Sequence, residues 1–463
     1  MSRIANAAAD RHVYQWRLDG IYFRSEVDVN VPLELHHSPP VSDPLNVISS
    51  EPLIEVALLT GGSDRPYVFG LTTQLIARRI SLDLLGSDEL SIPQLTNLQG
   101  LRFLNLRNEL PSDAALTRKA YRLIRCYAML IAYAATSRPS LFHILWNNKL
   151  EYVDRTLLMA YYRCLGKKIV ITAHNVNAAK RDHNDSWLNR ATLRLQYRMS
   201  HRIFVHTSAM KAELQHEFGV PSDRIVIIPF GINNFAPHSS MTAVDAKRQL
   251  GIDTSERTIL CFGRITPYKG YECLIEAYRT VQRRGNKYRL IIAGRVDGCE
   301  SYWAGIKADL QEEIKQGTVI VKDEHIPDED TELYFKAADV LALPYKHIYQ
   351  SGVLFLGQSF GLPALAADVG SFRDEIEEGR NGFIFRPEDP KDMARAIEEY
   401  FASTLYQNLE RERPEIKEYS RRRHSWDVVG ELTLKVYADL LSVELPRNFP
   451  ETDIKRSHMA ANN

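Results

Sequence analysis

The sequence predicts an α/β protein made of two doubly wound domains with mostly parallel sheets, and three observations carry that expectation. Predicted strands alternate with predicted helices along most of the chain. The strands are near-continuous apolar runs, such as KKIVIT and TILCF, which suits sheets covered on both faces. The alternation occurs twice, on either side of a more polar interval, FAPHSSMTAVDAKRQLGIDTSE.

Residues 1–50 carry no sustained period. HHSPPVSDPLNVISSEP is rich in turn formers and reads as a flexible N-terminal extension, with a strand-bearing extension as the alternative. The first α/β series fills residues 51–235. LIEVALLTGG is a strand ending in Gly61-Gly62, and a helix runs through LTTQLIARR. ISLDLL and LRFLNLR are strands, and a long helix covers roughly Ala115 to Ala135. SLFHILW is a strand, DRTLLMAYYRCLG a helix stopped at Gly166, and KKIVITAHN a strand. SWLNRATLRLQYRMS is a helix, RIFVHT a strand, SAMKAELQHEF a helix with Ser208 as N-cap, and IVIIPFGI closes the series.

Residues 236–256 read as a linker with one short helix. The second series, residues 257–400, starts with TILCFGR, ECLIEAYRTVQRR and RLIIAGR. A helix over Trp303 to Ile314, the strand TVIVKD, a helix over Glu329 to Ala338 and the strand DVLAL follow. The turn PYKHIYQSG then leads into a helix that ends at Gly361, where Pro363 blocks continuation. PALAADV, GFIFRPED and the helix PKDMARAIEEYF, with Pro390 near its start, complete it. Residues 401–445 are helical and charged, and one reading takes them back across to the first domain. Residues 446–463 read as a disordered tail. No repeat of ~20–50 residues is evident.

Composition bounds the function class. A chain of 463 residues holds two or three domains at the usual ~100–200 residues each. A formal net charge of zero gives no basis for bulk nucleic-acid binding. Cys126, Cys164, Cys261, Cys273 and Cys299 stand singly, without metal-ligand spacing, as expected of reduced thiols in a cytoplasmic protein. MSRIANAAADRHVYQW lacks the apolar core of a signal peptide. The most apolar run, CYAMLIAYAA, is about half of what a spanning helix needs. The expectation is a protein that is soluble or peripheral to the inner face of a membrane.

Two stretches carry chemistry. In LPYKHIYQSGVLFLGQSFGLPALAA (Leu343 to Ala367) a strand, Ser351-Gly352 and a helix start bring free backbone N–H groups to one point, which suits an anion. Many such junctions bind nothing. In FGRITPYKGYECLIEAY (Phe262 to Tyr278) Arg264 and Lys269 flank a turn between a strand end and a helix start, which suits a diphosphate. Taken alone, that stretch fits two solvated surface charges near a tight turn slightly better.

The order of the motifs goes further. GR-four residues-KG is followed by IIAG, AADVLALPY and SFGLPALAADVGSFRDEIEEGRNGFIF, then by a helix opening on DPKDMARAI. This series resembles the C-terminal half of the retaining, nucleotide-sugar-dependent glycosyltransferases of family 4, which have the GT-B architecture of two facing doubly wound domains. TGG, TAHN and IPFGIN stand in the matching order in the first series. The resemblance implies transfer of a sugar from a UDP- or GDP-type donor to an acceptor hydroxyl with retention, without a metal or other cofactor. It implies that Arg264 and Lys269 hold the donor diphosphate together with the strand end at Gly263. Gly62 would lie in a glycine-rich loop near the phosphates and the acceptor, and His174 beside the donor sugar. Ser351, Gly352 and Val353 would offer backbone amides to phosphate and sugar. A strand-end histidine satisfied by backbone is the alternative for His174.

The chain departs from the pattern where many members carry a Glu, seven residues and a second Glu. Those positions are Ile348 and Leu356 here. Gln350 and Gln358 keep the separation two positions later, out of register with Gly361 and Pro363. Gln350 is a candidate donor contact in place of the first acid, with backbone groups as the alternative. Two other functions stay open: a sugar-nucleotide epimerase of the same architecture, and a non-catalytic binding protein. The acceptor is expected to be a saccharide or a lipid-linked one. Arg190, Arg194, Arg198 and Arg202 recur every fourth residue, and Arg118, Lys119, Arg122 and Arg125 form a second basic edge. These edges would suit an anionic membrane surface, and ordinary solvated helix faces are the alternative.

Overall fold

The computed structural model describes residues 15–18, 21–24, 54–61, 64–108, 115–181, 184–232, 239–285 and 287–445. Within the unit of residues 1–51, β1 (Gln15–Leu18) and β2 (Ile21–Arg24) form an antiparallel hairpin. The rest of the expected flexible extension and the whole 446–463 tail lie outside the described residues.

In the unit of residues 52–463 the strands form two sheets. β3 (Ile54–Leu59), β4 (Ile80–Ser87), β5 (Leu101–Arg107), β6 (Leu141–Ile144), β7 (Lys168–Thr172), β8 (Arg202–Val205) and β9 (Ile225–Ile227) lie in the order β5-β4-β3-β6-β7-β8-β9. β10 (Arg257–Phe262), β11 (Tyr288–Ala293), β12 (Val319–Lys322), β13 (Val340–Leu343), β14 (Ala364–Ala367) and β15 (Gly382–Phe385) lie in the order β12-β11-β10-β13-β14-β15. Every ladder in both sheets is parallel. Each order reverses once, between β3 and β6 and between β10 and β13. In a doubly wound sheet that reversal opens a crevice at the C-terminal strand ends, because the flanking crossovers leave on opposite faces.

The core follows the period of two. Val56 and Leu58 of β3 enter one apolar layer, and Ala57 and Leu59 enter the layer on the other face. Ile259 and Cys261 of β10 are divided from Leu260 in the same way. Both faces are therefore covered, which is why the strands read as continuous apolar runs.

The helices that position the site are α1 (Arg65–Ala77), α2 (Leu116–Thr136), α3 (Trp187–Met199), α4 (Ser208–Phe218), α5 (Tyr271–Arg283), α6 (Asp328–Ala337), α7 (Gly352–Ser359), α8 (Leu409–Arg423) and α9 (Trp426–Leu441). Three details differ from the sequence reading. Thr207, not Ser208, caps α4: its backbone is extended and its hydroxyl accepts from Met210 N at 3.1 Å. The helix expected over Trp303 to Ile314 is two, Glu300–Asp309 and Gln311–Lys315, parted where Leu310 is drawn fully into the core. Arg202 does not continue the basic helix series, since α3 ends at Met199 and Arg202 opens β8, paired with Asp439 at 2.7 Å.

α9 packs back onto α1 of the first sheet's layer. Trp426 is its anchor. The indole is buried, and its N–H donates to Ile232 O at 2.8 Å. A Cβ on Gly70 would lie 2.1 Å from the ring, and one on Gly231 2.2 Å, so the indole fills a slot that only glycines leave open. Trp426→Ala should lower the unfolding free energy by about 3–5 kcal/mol, the usual cost of emptying a buried aromatic site, read by urea denaturation. Stability within ~1 kcal/mol of the parent would contradict this anchoring.

Candidate functional site

The two crevices open into one cleft of about 930 Å³, at the upper end of the range for small-ligand sites. Its walls are the segments that leave the C-terminal strand ends. Asp64 to Tyr67 follow β3, Trp146 follows β6, and His174 with Asn175 follow β7. From the second sheet, Arg264 and Lys269 follow β10, and Tyr345 to Val353 follow β13. Both reversal points thus face the same space. Arg65 and Asp328, at the starts of α1 and α6, meet across it at 3.3 Å.

Lys269 dominates the second wall. It is 3% exposed, and its Nζ donates to Phe262 O at 2.8 Å and lies 5.2 Å from the centre of the Tyr345 ring. Among the described residues no carboxylate pairs with it. Burial pushes its pKa down to about 8, with Cys261 opposing and the Arg264 charge adding to the fall. Gly263 makes room for it: φ is +95°, and a Cβ there would lie 2.9 Å from Lys269 Nζ and 3.1 Å from Val353 Cγ2. Gly263 itself does not line the cleft; it lets the lysine and α7 close upon each other. Arg264 is different. Its side chain is 60% exposed and its guanidinium donates to Asp297 at 2.8 Å. A solvent-exposed pair of that kind is worth about 0–1 kcal/mol, so the guanidinium is readily redirected.

α7 points its N-terminus into the cleft, with Ser351 as the cap accepting from Leu354 N at 3.4 Å. Ser351, Gly352 and Val353 all line the cleft. Gln350 lines it too, with an Oε1 that is buried and has no hydrogen-bond partner. Gln358 does not. It is buried, and its Oε1 accepts from the Ser420 hydroxyl on α8 at 2.8 Å. The equal spacing of the two glutamines therefore has no counterpart in the cleft. Ile348 and Leu356 both line it as buried apolar side chains.

On the first wall, His174 is held by an aromatic frame. Trp146 stacks on it at 4.2 Å with the planes 7° apart, and Tyr67 meets it edge-on at 4.6 Å. Its Nδ1 lies 3.1 Å from His206 Nε2, and its own Nε2 is buried with no hydrogen-bond partner among the described residues. Burial, chiefly, holds its pKa well below the ordinary histidine value, so the ring is neutral near pH 7. Asp64 caps α1 by accepting from Tyr67 N at 3.1 Å. Burial raises its pKa and Asp328 adds to the rise, while the Tyr67 N–H and Arg264 pull it down. Gly62 lies outside the described residues.

The structure therefore brings Arg264, Lys269, His174, Gln350, Ser351, Gly352 and Val353 to one cleft. Asp64, Tyr67, Trp146, Tyr345 and His206 escaped the sequence reading. Trp146 and His206 each follow the C-terminal end of a parallel strand, as His174 does, and that shared position is the signal that could have found them. Among the described residues no three His, Cys, Asp or Glu side chains are grouped to hold a metal ion. No helix among them is long and apolar enough to cross a membrane.

The buried cation has a measurable cost. Its pKa is depressed on folding, so the penalty is fully present below pH ~8 and disappears as the pH rises toward the unfolded value near 10.5. Stability should rise across that window by on the order of 3 kcal/mol. In Lys269→Met the rise should vanish, and the variant should unfold at higher urea than the parent at pH 7. Parallel stability–pH profiles for the two proteins would contradict this.

Comparison with known proteins agrees with the fold. The family model for glycosyl transferases group 1 matches residues 256–403, and that for glycosyltransferase family 4 matches residues 67–234. Similar curated relatives include D-inositol 3-phosphate glycosyltransferases of Corynebacterium urealyticum and Corynebacterium aurimucosum. The first is 25% identical over 245 residues, 51% of this chain and 56% of the relative. The second is 24% identical over 251 residues, 53% of this chain and 58% of the relative. The chain thus spans less than two thirds of the length of the curated relatives it matches. Among solved structures, sucrose-phosphate synthase from Thermosynechococcus elongatus superposes with a TM-score of 0.66 at 18% identity, over 84% of this chain and 100% of that one. The Anabaena protein HepE, in complex with UDP and glucose, superposes with a TM-score of 0.64 at 15% identity, over 83% and 99%. With both family models matched in order along two parallel-sheet domains, the chain belongs to the family 4, group 1 glycosyltransferases and has their GT-B fold.

Proposed function

We propose that the chain transfers a sugar from a nucleoside diphosphate sugar, of UDP or GDP type, to an acceptor hydroxyl with retention at the anomeric carbon. The observation that carries the reading is Lys269, a buried cation aimed at the cleft without a carboxylate partner. A diphosphate would offset its burial cost through charge-assisted hydrogen bonds. Arg264 would exchange Asp297 for the same group, and the backbone N–H groups of Gly352 and Val353 would complete the anion site. Gly263 would act by keeping the space beside Lys269 open. Gly62 retains its proposed place near the phosphates on the resemblance alone.

In the reaction, the bond from the anomeric carbon to the diphosphate oxygen breaks as the acceptor oxygen bonds to that carbon from the same face, and the acceptor hydroxyl's proton passes to the departing diphosphate oxygen. Negative charge builds on the leaving diphosphate. Arg264 and Lys269 stabilise it from fixed positions, which costs little reorganisation when the bond breaks. The proposal needs no metal ion, because these two cations supply the countercharge. His174 and Gln350 present orphaned polar atoms to the space beside the diphosphate, as a sugar with several hydroxyls requires. The apolar Ile348 and Leu356 leave recognition there to Gln350 and backbone groups. Acceptors would be saccharides or lipid-linked saccharides, as in polysaccharide or glycolipid synthesis. Cytoplasmic placement fits the five free cysteines.

The test is turnover with a panel of UDP- and GDP-sugars. Arg264→Ala and Lys269→Ala should each reduce it ~10²-fold or more, the scale of losing one strong transition-state donor. Turnover within a few-fold of the parent contradicts the role of that residue. Product formed without acceptor would favour an epimerase, and calorimetry without binding to any donor would favour a non-catalytic binding protein.

A membrane-facing surface accompanies this reading. α3 exposes Arg190, Arg194 and Arg198 together with Trp187, Leu188 and Leu195. α2 exposes Arg118 and Arg125 beside Tyr121 and Ile124, and neither helix contains an acidic residue. Basic and apolar side chains on one surface suit an anionic lipid headgroup layer. The protein should float with vesicles containing phosphatidylserine. The triple change of Arg190, Arg194 and Arg198 to Glu should weaken binding by ~100-fold or more, since each change both removes a cation and adds an anion. A parent that stays wholly unbound overturns this surface.

A further inference from the structure

Behind His174, which lines the cleft, lies a second and buried histidine, His206. We propose that His206 is a positioning residue that locks His174 into one tautomer, with a bare hydrogen-bond acceptor at Nε2 facing the cleft. The proposal rests on the donor-binding reading above for its functional consequence, but the tautomer itself follows from geometry.

The chain of bonds starts at a backbone carbonyl. Ile228 O can only accept, and His206 Nδ1 lies 3.3 Å from it in a buried site. His206 Nδ1 must therefore carry the proton. Burial pushes the His206 pKa down to about 4, so near pH 7 the ring is neutral and its Nε2 holds a lone pair. That lone pair faces His174 Nδ1 at 3.1 Å. A hydrogen bond there requires His174 to donate from Nδ1, which leaves its Nε2 as the acceptor. The opposite tautomer would set two lone pairs against each other at 3.1 Å.

The frame prevents the ring from escaping this choice. Trp146 covers one face of His174, and Tyr67 abuts it edge-on. Phe230 packs edge-on against His206 at 5.0 Å and against His174 at 6.2 Å. Nε2 of His174 is buried with no hydrogen-bond partner among the described residues, and His174 lines the cleft, so its acceptor lone pair is left for a ligand that packs against this wall. The chemistry it recognises is an O–H donor. A neutral hexose that places a hydroxyl there gains a hydrogen bond. A carboxylate at the same carbon, as in a uronic acid, would set two acceptors together, and a deoxy sugar would leave the nitrogen unpaired.

The test compares the parent with His206→Gln, which retains an acceptor for His174 and a donor for Ile228 O, and with His206→Leu, which removes both. Histidine ¹⁵N spectra report the tautomer of His174, and calorimetry reports the affinity for a UDP- or GDP-hexose and for the bare nucleoside diphosphate. His174 should be protonated at Nδ1 in the parent and in His206→Gln. In His206→Leu the Nε2–H form should appear, and hexose-nucleotide affinity should fall ~10-fold while bare diphosphate affinity stays within about two-fold. A parent protonated at Nε2 overturns the proposal. So does a His206→Leu variant that loses both ligands equally, or neither, or a His206→Gln variant that behaves like His206→Leu. If His206→Leu does not fold, the parent spectrum and His206→Gln still decide. An Nδ1–H parent that binds no nucleotide sugar upholds the His174 tautomer and overturns the donor reading instead.

Discussion

Lys269 places a positive charge where the described residues give it a carbonyl and a ring face but no carboxylate, and the second wall of the cleft is arranged around that choice. The lysine can sit there because a glycine with positive φ, Gly263, follows β10, so no side chain fills the space between its amino group and α7. Tyr345 supplies the face of a ring rather than a carboxylate. Had Asp297 faced Lys269 instead of the exposed Arg264, the site would be neutralised from within. The stabilisation that folding forgoes at this point leaves a buried positive charge lining the cleft, the feature on which the proposed anion site rests.

The opposite wall solves a different problem. Beside Asp64 and Arg65, its central groups are the neutral rings of His174, Trp146 and Tyr67, which are positioned by aromatic packing rather than by ion pairs. Phe230 links the walls: it packs against Tyr67 and His206 on one side and stacks on Phe355 of α7 at 5.4 Å on the other. His424, between α8 and α9, bonds the Phe230 carbonyl at 3.0 Å and Glu375 at 2.9 Å. The return of α9 to α1 and this junction both cross from one sheet to the other. The wall that carries Lys269 and the wall that carries His174 are therefore held in register.

Much of the fold was legible because parallel sheets covered on both faces leave continuous apolar runs, and because Gly and Pro punctuate them. Boundaries that depend on packing were not. Leu310 breaks a helix because the core takes it, and Thr207 caps α4 because its backbone, not its residue type alone, is extended. In the site, Arg264, Lys269 and the Ser351 segment were found because they belong to ordered motifs. Asp64, Trp146 and His206 stand alone in sequence, with no spacing to betray them. The two glutamines show the converse: they keep the spacing of the expected acids, yet Gln350 turns to the cleft and Gln358 to Ser420.

By itself the sequence determined the two α/β series, the order of their strands and helices, and the presence of cations at a strand end. Those follow from local periodicity and from motif order, which chain connectivity preserves. Only the tertiary structure decided which groups share the cleft, which of them keep a free hydrogen-bonding atom, and which charge is left without a partner. These are properties of distance and burial. Asp297 lies 33 residues from Arg264, and His206 lies 32 from His174. Whether such residues neutralise, orient or ignore each other is settled by how two sheets meet, which no spacing along the chain records.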